Sequence, residues 1–264
     1  MQERLNVFLL TDVEGISGID SIDVMERGTP VYESTRIRLC EEINLAVKAA
    51  LEAGASRVYY LDGHAGGGNV IEEKIHPAAI KCSLADWQRL LKEGELDCMI
   101  ELGAHARAGT VGGFLDHTLS SKSIFSITVN GVEMSELSLH AIFAAKHGVP
   151  TVAVTGDETA CKQAKEYIPE IFTGAVKVAS RRNCATTYEN ASEIVSATIK
   201  KALADYRSVP LFRVPLPLCV TQTFYRTDMC EEALEKCIGT VERVDARTLR
   251  KTVHILESYS DLKF

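Results

Sequence analysis

The chain has 264 residues, of which 46% are hydrophobic and 25% charged, and its formal net charge is −7. These values are ordinary for a globular protein and argue against a disordered chain. The acidic balance leaves no basic surplus for a nucleic-acid backbone, and no segment approaches the roughly 18 apolar residues of a membrane span. We therefore expect a folded protein without nucleic-acid or membrane partners. Because the apolar run near the amino terminus is too short for a signal peptide, we expect the protein to be cytoplasmic.

The eight cysteines are scattered along the chain, and no two of them form a C-x-x-C pair. Several, such as Cys40, fall at apolar positions of a helical pattern. In a cytoplasmic protein we expect these thiols to be reduced and buried rather than joined in a disulfide framework.

The first half of the chain alternates buried strands with helical patterns. Apolar, β-prone runs at residues 6–10, 57–61 and 98–102 each end in a polar loop, which predicts three buried strands. Between the first two, apolar residues recur at intervals of three and four over residues 32–53, and Gly54 supplies a C-terminal stop, so a helix is predicted there.

The alternation continues in the middle of the chain. A strand is predicted at residues 123–129 before the turn signal Asn130-Gly131, a helix over 135–146, and a further strand at 151–155. Strands that alternate with helices are connected by right-handed crossovers. The pattern therefore predicts an α/β fold, with a mostly parallel sheet flanked by helices.

The pattern changes beyond Arg207, where three prolines lie close together. It predicts a strand near residues 218–224, a helix near 229–237, a short element at 240–244 and a helix near 246–258. We predict a main α/β domain over residues 1–207 and a small C-terminal α+β domain over residues 208–264.

Polar residues follow several of the predicted strands, at the point where each strand ends. Asp12 and Glu14 follow the first strand, His64 the second, His105 the third, and Asp157 a later one. Because the carboxyl ends of parallel strands meet at one edge of the sheet, we expect these side chains to lie near one another. Carboxylates and imidazoles without a thiolate quartet favour a catalytic site for zinc or a related ion over a closed structural zinc site.

The spacing of the two acidic residues suits a pair of cations. The carboxylate of Asp12, at the tip of a strand, can bridge two ions through its two oxygens, and Glu14, past the turn, can reach one of them. Two such cations polarise a carbonyl and activate a bridging water as the nucleophile. We expect two divalent metal ions in a hydrolase.

Each of these residues also has a structural interpretation. Asp12 or Glu14 can cap the loop before Gly15. His64 lies beside Gly66-Gly67-Gly68, which can instead indicate a loop that cradles phosphate. Glu136 opens a helix, where a carboxylate is favoured by the helix dipole. The joint occurrence of ligand types at successive strand ends favours the metal interpretation.

The remaining histidines divide into two groups. His117, in a polar loop, is a candidate general acid or base. His140 lies four residues after Glu136, on the same face of the helix, and can support a ligand or be an ordinary polar residue. The other three, at positions 76, 147 and 254, are expected to be structural, the last of them in the final predicted helix.

Together these motifs resemble those of the binuclear zinc D-aminopeptidases of the bacterial dipeptide-transport operon type. The family pattern D-x-E-G-I-S-G matches residues 12–18, and H-A-R-A matches residues 105–108. The resemblance also covers a loop histidine at His64, a glycine-rich loop with histidine at residues 112–117, and a helix-opening glutamate at Glu136. It runs over most of the chain.

The resemblance implies roles for individual residues. Asp12 would bridge two zinc ions, Glu14 and His105 would complete one site, and His64 and Glu136 would complete the other. His117 would be the catalytic histidine outside the metal shell. The resemblance also implies an α/β domain with a small C-terminal α+β domain, and assembly as a ring-shaped homo-oligomer, a decamer.

Two departures from the family pattern concern specificity. The family's helix continues with an asparagine where this chain has His140, which exchanges an amide for an imidazole. Asp116 replaces a smaller polar residue, and one extra residue lies between His105 and His117 relative to the family pattern. We expect His140 and Asp116 to contact the substrate or to support the ligands.

The leading hypothesis is a metal-dependent aminopeptidase acting on short peptides, with peptides that carry an amino-terminal D-residue as one candidate class; the sequence does not decide between D- and L-residues. A second hypothesis keeps the metals and changes the bond to another small amide or an ester, for which His140 and Asp116 are the motivation. A third is a nucleotide- or metabolite-binding module built on residues 63–68, although that segment lacks the spacings of the common phosphate-binding loops.

Overall fold

The computed structural model describes residues 4–264, which form two sheets and the helices around them. The helices are α1 (Pro30–Glu52), α2 (Leu84–Lys92), α3 (Glu136–Lys146), α4 (Glu158–Tyr167), α5 (Ala191–Ala204) and α6 (Thr227–Lys236). The strands are β1 (Asn6–Thr11), β2 (Arg57–Asp62), β3 (Ala79–Lys81), β4 (Cys98–Ala104), β5 (Ile124–Val129), β6 (Val132–Glu133), β7 (Thr151–Asp157), β8 (Phe172–Arg181), β9 (Cys184–Thr187), β10 (Leu218–Phe224), β11 (Glu242–Arg243) and β12 (Thr248–Val253).

The larger sheet has seven strands in the order β3-β2-β1-β4-β7-β8-β9. All neighbouring pairs are parallel except β8 and β9. All six residues of β1 are buried, as a central strand covered on both faces requires. The predicted mostly parallel α/β sheet is confirmed.

Helices cover both faces of this sheet. On one face, α1 and α5 contribute Leu39, Ile43, Val195 and Ile199 to the larger core. Helix α1 begins after the N-cap Thr29, whose side chain accepts a hydrogen bond from the amide of Tyr32. On the other face, α2 and α3 pack into a second core that includes the fully buried Trp87 and Phe143.

The smaller sheet is antiparallel, in the order β11-β12-β10-β5-β6. Strands β5 and β6 come from the middle of the chain, and β10 to β12 from its C-terminal part. Its apolar side chains, among them Ile127, Val220 and Val253, pack into the same core as Trp87. The sheet thus places the C-terminal segment against the α2 and α3 face; a domain boundary near residue 208 stays a prediction.

The predicted helix over residues 246–258 is wrong. In the structure this segment holds strand β12, which pairs with β10 from Leu218 opposite Val253 to Thr223 opposite Thr248. Pairing with β10 determines the extended conformation of this segment, and the local sequence pattern carries no information about that pairing. His254 consequently follows a strand and is exposed.

The eight cysteines are all free thiols, as predicted; five of them are buried as expected, whereas Cys184, Cys219 and Cys237 are half-buried. Among residues 4–264, no helix is both long and apolar enough to cross a lipid bilayer.

Candidate metal centre

The loop after β1 is held tightly against the end of β4. The amide of Asp12 donates to the carbonyl of Leu102, and that of Gly15 donates to Gly103 at 2.8 Å. A Cβ atom at Gly15 would lie 2.1 Å from the carbonyl oxygen of Ala104, so only glycine fits. This close approach fixes the positions of Asp12 and Glu14 relative to the polar residues that follow β4.

A first cluster consists of Asp12, Glu14 and His64. Nδ1 of His64 lies 3.2 Å from Oδ1 of Asp12 and 2.8 Å from Oε2 of Glu14. His64 stands in the short loop after β2, which Arg27 holds from outside by donating to the carbonyls of His64 and Gly67. The side chains of Asp12, Glu14 and His64 are at most 15% exposed.

A second cluster consists of His105, His117 and Glu136. Nε2 of His105 lies 3.4 Å from Oε1 of Glu136. Glu136 opens α3, but Ser135 is the N-cap and accepts from the amide of Ser138. The capping role is therefore filled by Ser135, and the Glu136 carboxylate points to His105 and accepts from the amide of Leu119 at 2.8 Å.

The carboxylate of Asp12 lies between the two clusters. Its Oδ1 faces His64 Nδ1 and its Oδ2 faces His105 Nε2, each at 3.2 Å. Each oxygen thus has an imidazole of a different cluster, which is the arrangement of a carboxylate that bridges two cations. The amide of Val13 also donates to Oδ1, so the carboxylate helps to hold its own loop as well.

The partition of ligands that the resemblance implied is corrected by this geometry. Glu14 lies with His64, and Glu136 lies with His105, whereas the opposite pairing was expected. The reason is the order of the strands: β1 has β2 on one side, followed by His64, and β4 on the other, followed by His105. The N-terminus of α3 lies beside the end of β4, and so Glu136 reaches His105.

The donor atoms of the site fit divalent metal ions. Nε2 of His105 and Oε2 of Glu14 are buried, and neither makes a hydrogen bond within the described part of the chain. His105 instead uses Nδ1, which donates to the carbonyl of Ala106 at 2.9 Å, so the neutral ring that a metal requires has its lone pair on Nε2. This is the support that metal-binding histidines ordinarily have, and nitrogen with carboxylate oxygen suits zinc and related ions.

The electrostatics of the clusters favours positive charge. Burial opposes protonation of His64, but the facing carboxylates of Asp12 and Glu14 raise its pKa to about 11. The pKa of His105 is likewise raised, against burial, by the facing carboxylates of Asp12 and Glu136. Burial alone would raise the pKa of Glu136, but the facing imidazole of His105 outweighs this effect and lowers the pKa to about 2. The negative field of the carboxylates is therefore strong where the two histidines face them.

His117 approaches the second cluster from the loop that precedes β5. Its ring is stacked on that of His105, with centroids 4.0 Å apart, and its Nε2 lies 3.6 Å from Oε1 of Glu136. Nδ1 donates to the carbonyl of Leu115 at 2.8 Å, so Nε2 is the nitrogen with a free lone pair.

Asp116 lies beside His117 but in neither cluster. Its Oδ2 accepts from the amides of Gly109 and Thr110, and its Oδ1 pairs with Arg182 at 2.9 Å. The side chain therefore holds the loop that carries His117. Asp157, also placed at this sheet edge by the sequence, is fully buried and belongs to neither cluster.

His140 is buried one helical turn below Glu136 and pairs with Glu101, whose Oε1 lies 3.0 Å from Nδ1 of His140. Sequence reasoning missed Glu101. The available signal was a carboxylate inside the apolar run of β4, where a buried charge needs a partner.

Both clusters open into one cleft with a volume of about 1270 Å³. Its wall includes the loop after β2, the loop before β5, the start of α3 and the C-terminal residues Tyr259 and Lys263. Glu101 and His140 also line it. The clusters are thus accessible to a small molecule.

Comparison with known proteins identifies the family of this chain. The model of the D-aminopeptidase family Peptidase M55 matches residues 5–262. A D-aminopeptidase of Bacillus subtilis (strain 168) is 32% identical over 206 residues, covering 76% of this chain and 73% of that protein. A solved structure described as the Zn-dependent D-aminopeptidase DppA from Bacillus subtilis, a self-compartmentalizing protease, superposes with a TM-score of 0.90 at 25% identity, over 98% of this chain and 95% of that one. The chain is therefore a member of the peptidase M55 family, the D-aminopeptidases.

Proposed function

We propose that this protein is a zinc-dependent aminopeptidase that removes D-amino acids from the amino terminus of short peptides. The observation that carries the proposal is the Asp12 carboxylate, whose two oxygens face imidazoles of two different ligand clusters. Family membership and the zinc dependence in the description of the Bacillus subtilis enzyme support the same conclusion.

We assign the metal ligands from the two clusters. Glu14 and His64 would hold one ion, His105 and Glu136 the other, and Asp12 would bridge both. When bound, a zinc pair supplies Lewis-acid activation of the scissile carbonyl and of the attacking water. The protein contributes a rigid, largely buried donor set, with the Nδ1 hydrogen bond of His105 fixing one imidazole in the correct tautomer.

His117 is assigned as the catalytic general base and acid. Its Nδ1 proton is committed to the carbonyl of Leu115, so Nε2 can take a proton from the attacking water and return it to the departing amine. The stacking on His105 keeps this nitrogen beside His105 and Glu136. Asp116 is a positioning residue, because its carboxylate holds the amides of the same loop.

The alternative of another small amide or ester as substrate keeps the same centre. It is motivated by His140 and Asp116, which depart from the family pattern. A nucleotide-binding module is not favoured, because His64 in the glycine-rich loop points to Asp12 and Glu14, and the loop carbonyls are held by Arg27.

Assembly and location complete the proposal. The similar enzyme of Bacillus subtilis is described as self-compartmentalizing, which supports a homo-oligomer here. The specific form proposed is a ring-shaped decamer, which the family resemblance implies. A cytoplasmic location is also part of what we propose.

The test is hydrolysis of a panel of D- and L-aminoacyl amides, short peptides and simple esters. We expect release of D-amino acids, loss of activity after treatment with a chelator, and recovery on addition of zinc. Turnover that survives complete removal of metal would overturn the proposal. Faster turnover of esters or non-peptide amides would favour the alternative substrate class.

A further inference from the structure

Two carboxylate–imidazole pairs connect the β4 segment with α3. In one pair the β4 segment supplies the imidazole and α3 the carboxylate; in the other pair the two roles are reversed. Near the sheet edge, His105 faces Glu136 at 3.4 Å. Four residues earlier in β4 and four later in α3, Glu101 faces His140 at 3.0 Å. One helical turn spans about 5.4 Å, so the second pair lies directly below the second metal cluster.

The Glu101–His140 pair is not explained by metal binding. Within the described residues, neither side chain belongs to a group of three ligand atoms that could hold an ion. Both are nonetheless buried, at 4% and 7% exposure, and both line the cleft. A buried carboxylate is costly unless its charge is compensated.

The carboxylate of Glu101 has accepting capacity to spare. Its hydrogen-bond donor among residues 4–264 is Nδ1 of His140, at one oxygen. Asp62, a buried acid that also lines the cleft, instead accepts three hydrogen bonds from Asn69 and Val70. A carboxylate can accept about four hydrogen bonds, so Glu101 can take further donors from a bound molecule.

Tyr259 forms the wall beside this pair. Its ring lies 5.1 Å from that of His140 and lines the cleft, and its buried hydroxyl has no hydrogen-bond partner within the described residues. Burial, with Glu136 and Glu101 nearby, raises the pKa of this phenol, which stays a neutral hydroxyl. The ammonium of Lys263 already lies 5.1 Å from the ring centroid, so the wall accommodates a cation.

We infer that Glu101, with His140 and Tyr259, forms a subsite for an alkylammonium group of the substrate. An ammonium group carries three hydrogen-bond donors and a positive charge. The Glu101 carboxylate accepts one hydrogen bond, from His140, and so can accept more, and the Tyr259 ring beside it can contact a cation. The inference rests on the proposed function, because it takes the cleft as the place where the substrate binds. The group is either the α-ammonium of the peptide or an ammonium on its first side chain.

The probes are two amines without a scissile bond, measured by isothermal titration calorimetry on the zinc-loaded protein. D-alaninol carries the α-ammonium and 6-amino-1-hexanol a distal one; 2-methyl-1-propanol and 1-heptanol are their neutral counterparts. We expect at least one amine to bind the wild type about tenfold or more tightly than its neutral counterpart. Equal affinities for both pairs would overturn the inference without any variant.

The variants are Glu101→Gln and, as a matched control, Glu26→Gln, which removes the same charge from an exposed residue of the same cleft. We expect Glu101→Gln to abolish the preference for one amine and Glu26→Gln to leave it unchanged. The amine that loses affinity identifies the source of the ammonium. An unchanged preference in Glu101→Gln, or equal losses in the two variants, would overturn the inference.

Kinetics separates this subsite from the proposed function. For the preferred D-aminoacyl amide, Glu101→Gln should raise KM about tenfold, change kcat less than twofold, and retain the zinc content of the wild type. If the wild type hydrolyses no D-aminoacyl amide, the proposed function fails, and calorimetry still decides the subsite. If it does hydrolyse them and Glu101→Gln changes neither KM nor amine binding, the subsite alone fails.

Discussion

The imidazole of His117 lies flat on that of His105, with the ring planes 9° from parallel. Both rings donate through Nδ1 to backbone carbonyls, so both present Nε2 toward Glu136. They differ in burial: the His105 side chain is 2% exposed and the His117 side chain 12%. This difference suits a buried ligand and a more accessible proton carrier.

Replacement of His117 by alanine should separate chemistry from metal binding. We expect the variant to retain the zinc content of the wild type and to lose about 10²–10⁴-fold in kcat, the usual contribution of a general acid–base group. Elemental analysis and steady-state kinetics measure the two properties on the same sample. Loss of one zinc per chain would instead make His117 a ligand of the second cluster.

Asp116 should affect turnover through the loop that carries His117. Asp116→Asn weakens the hydrogen bonds to the amides of Gly109 and Thr110 and the ion pair with Arg182. We expect a fall in kcat of about tenfold, because a misplaced general base is less effective, with KM and zinc content nearly unchanged. Asp228→Asn, on an exposed pair with Arg226, is the control. A variant with normal kcat would show that the loop keeps its position without this carboxylate.

Lys177 should matter for the stability of the Asp12 loop. Its fully buried ammonium donates to the carbonyls of Glu14 and Ile19 and lies 4.8 Å from the centre of the Phe114 ring. Lys177→Met leaves these carbonyls without their donor, and we expect the free energy of unfolding to fall by about 2–4 kcal/mol. Urea denaturation of the metal-free protein measures it. Lys201→Met, at an exposed lysine of α5, should change it by less than about 0.5 kcal/mol, and an equally small effect of Lys177→Met would refute the role.

Much of the candidate metal centre could be predicted because its residues follow strands that are evident locally. The runs that became β1, β2 and β4 are mainly apolar, and Asp12, His64 or His105 follows each strand within two residues. Parallel strands then bring those ends together. The pairing of Glu14 with His64 could not be predicted in this way, because it depends on the order of the strands within the sheet.

Other features depend on contacts that are distant in sequence. The segment of β12 has no strict alternation, and its conformation follows from pairing with β10, some 30 residues earlier. Strand β5 follows β4 in the chain but joins the antiparallel sheet through β10. The role of Glu101 could not be predicted locally, because its partner His140 lies 39 residues later in the chain.

The zinc content of the purified Asp12→Ala protein, measured beside that of the wild type, tests whether Asp12 joins two metal sites. We expect two zinc ions per wild-type chain and none bound stoichiometrically by the variant, with both proteins folded by circular dichroism. A folded Asp12→Ala protein that still holds two zinc ions, or a wild type that binds none, would refute this role of Asp12.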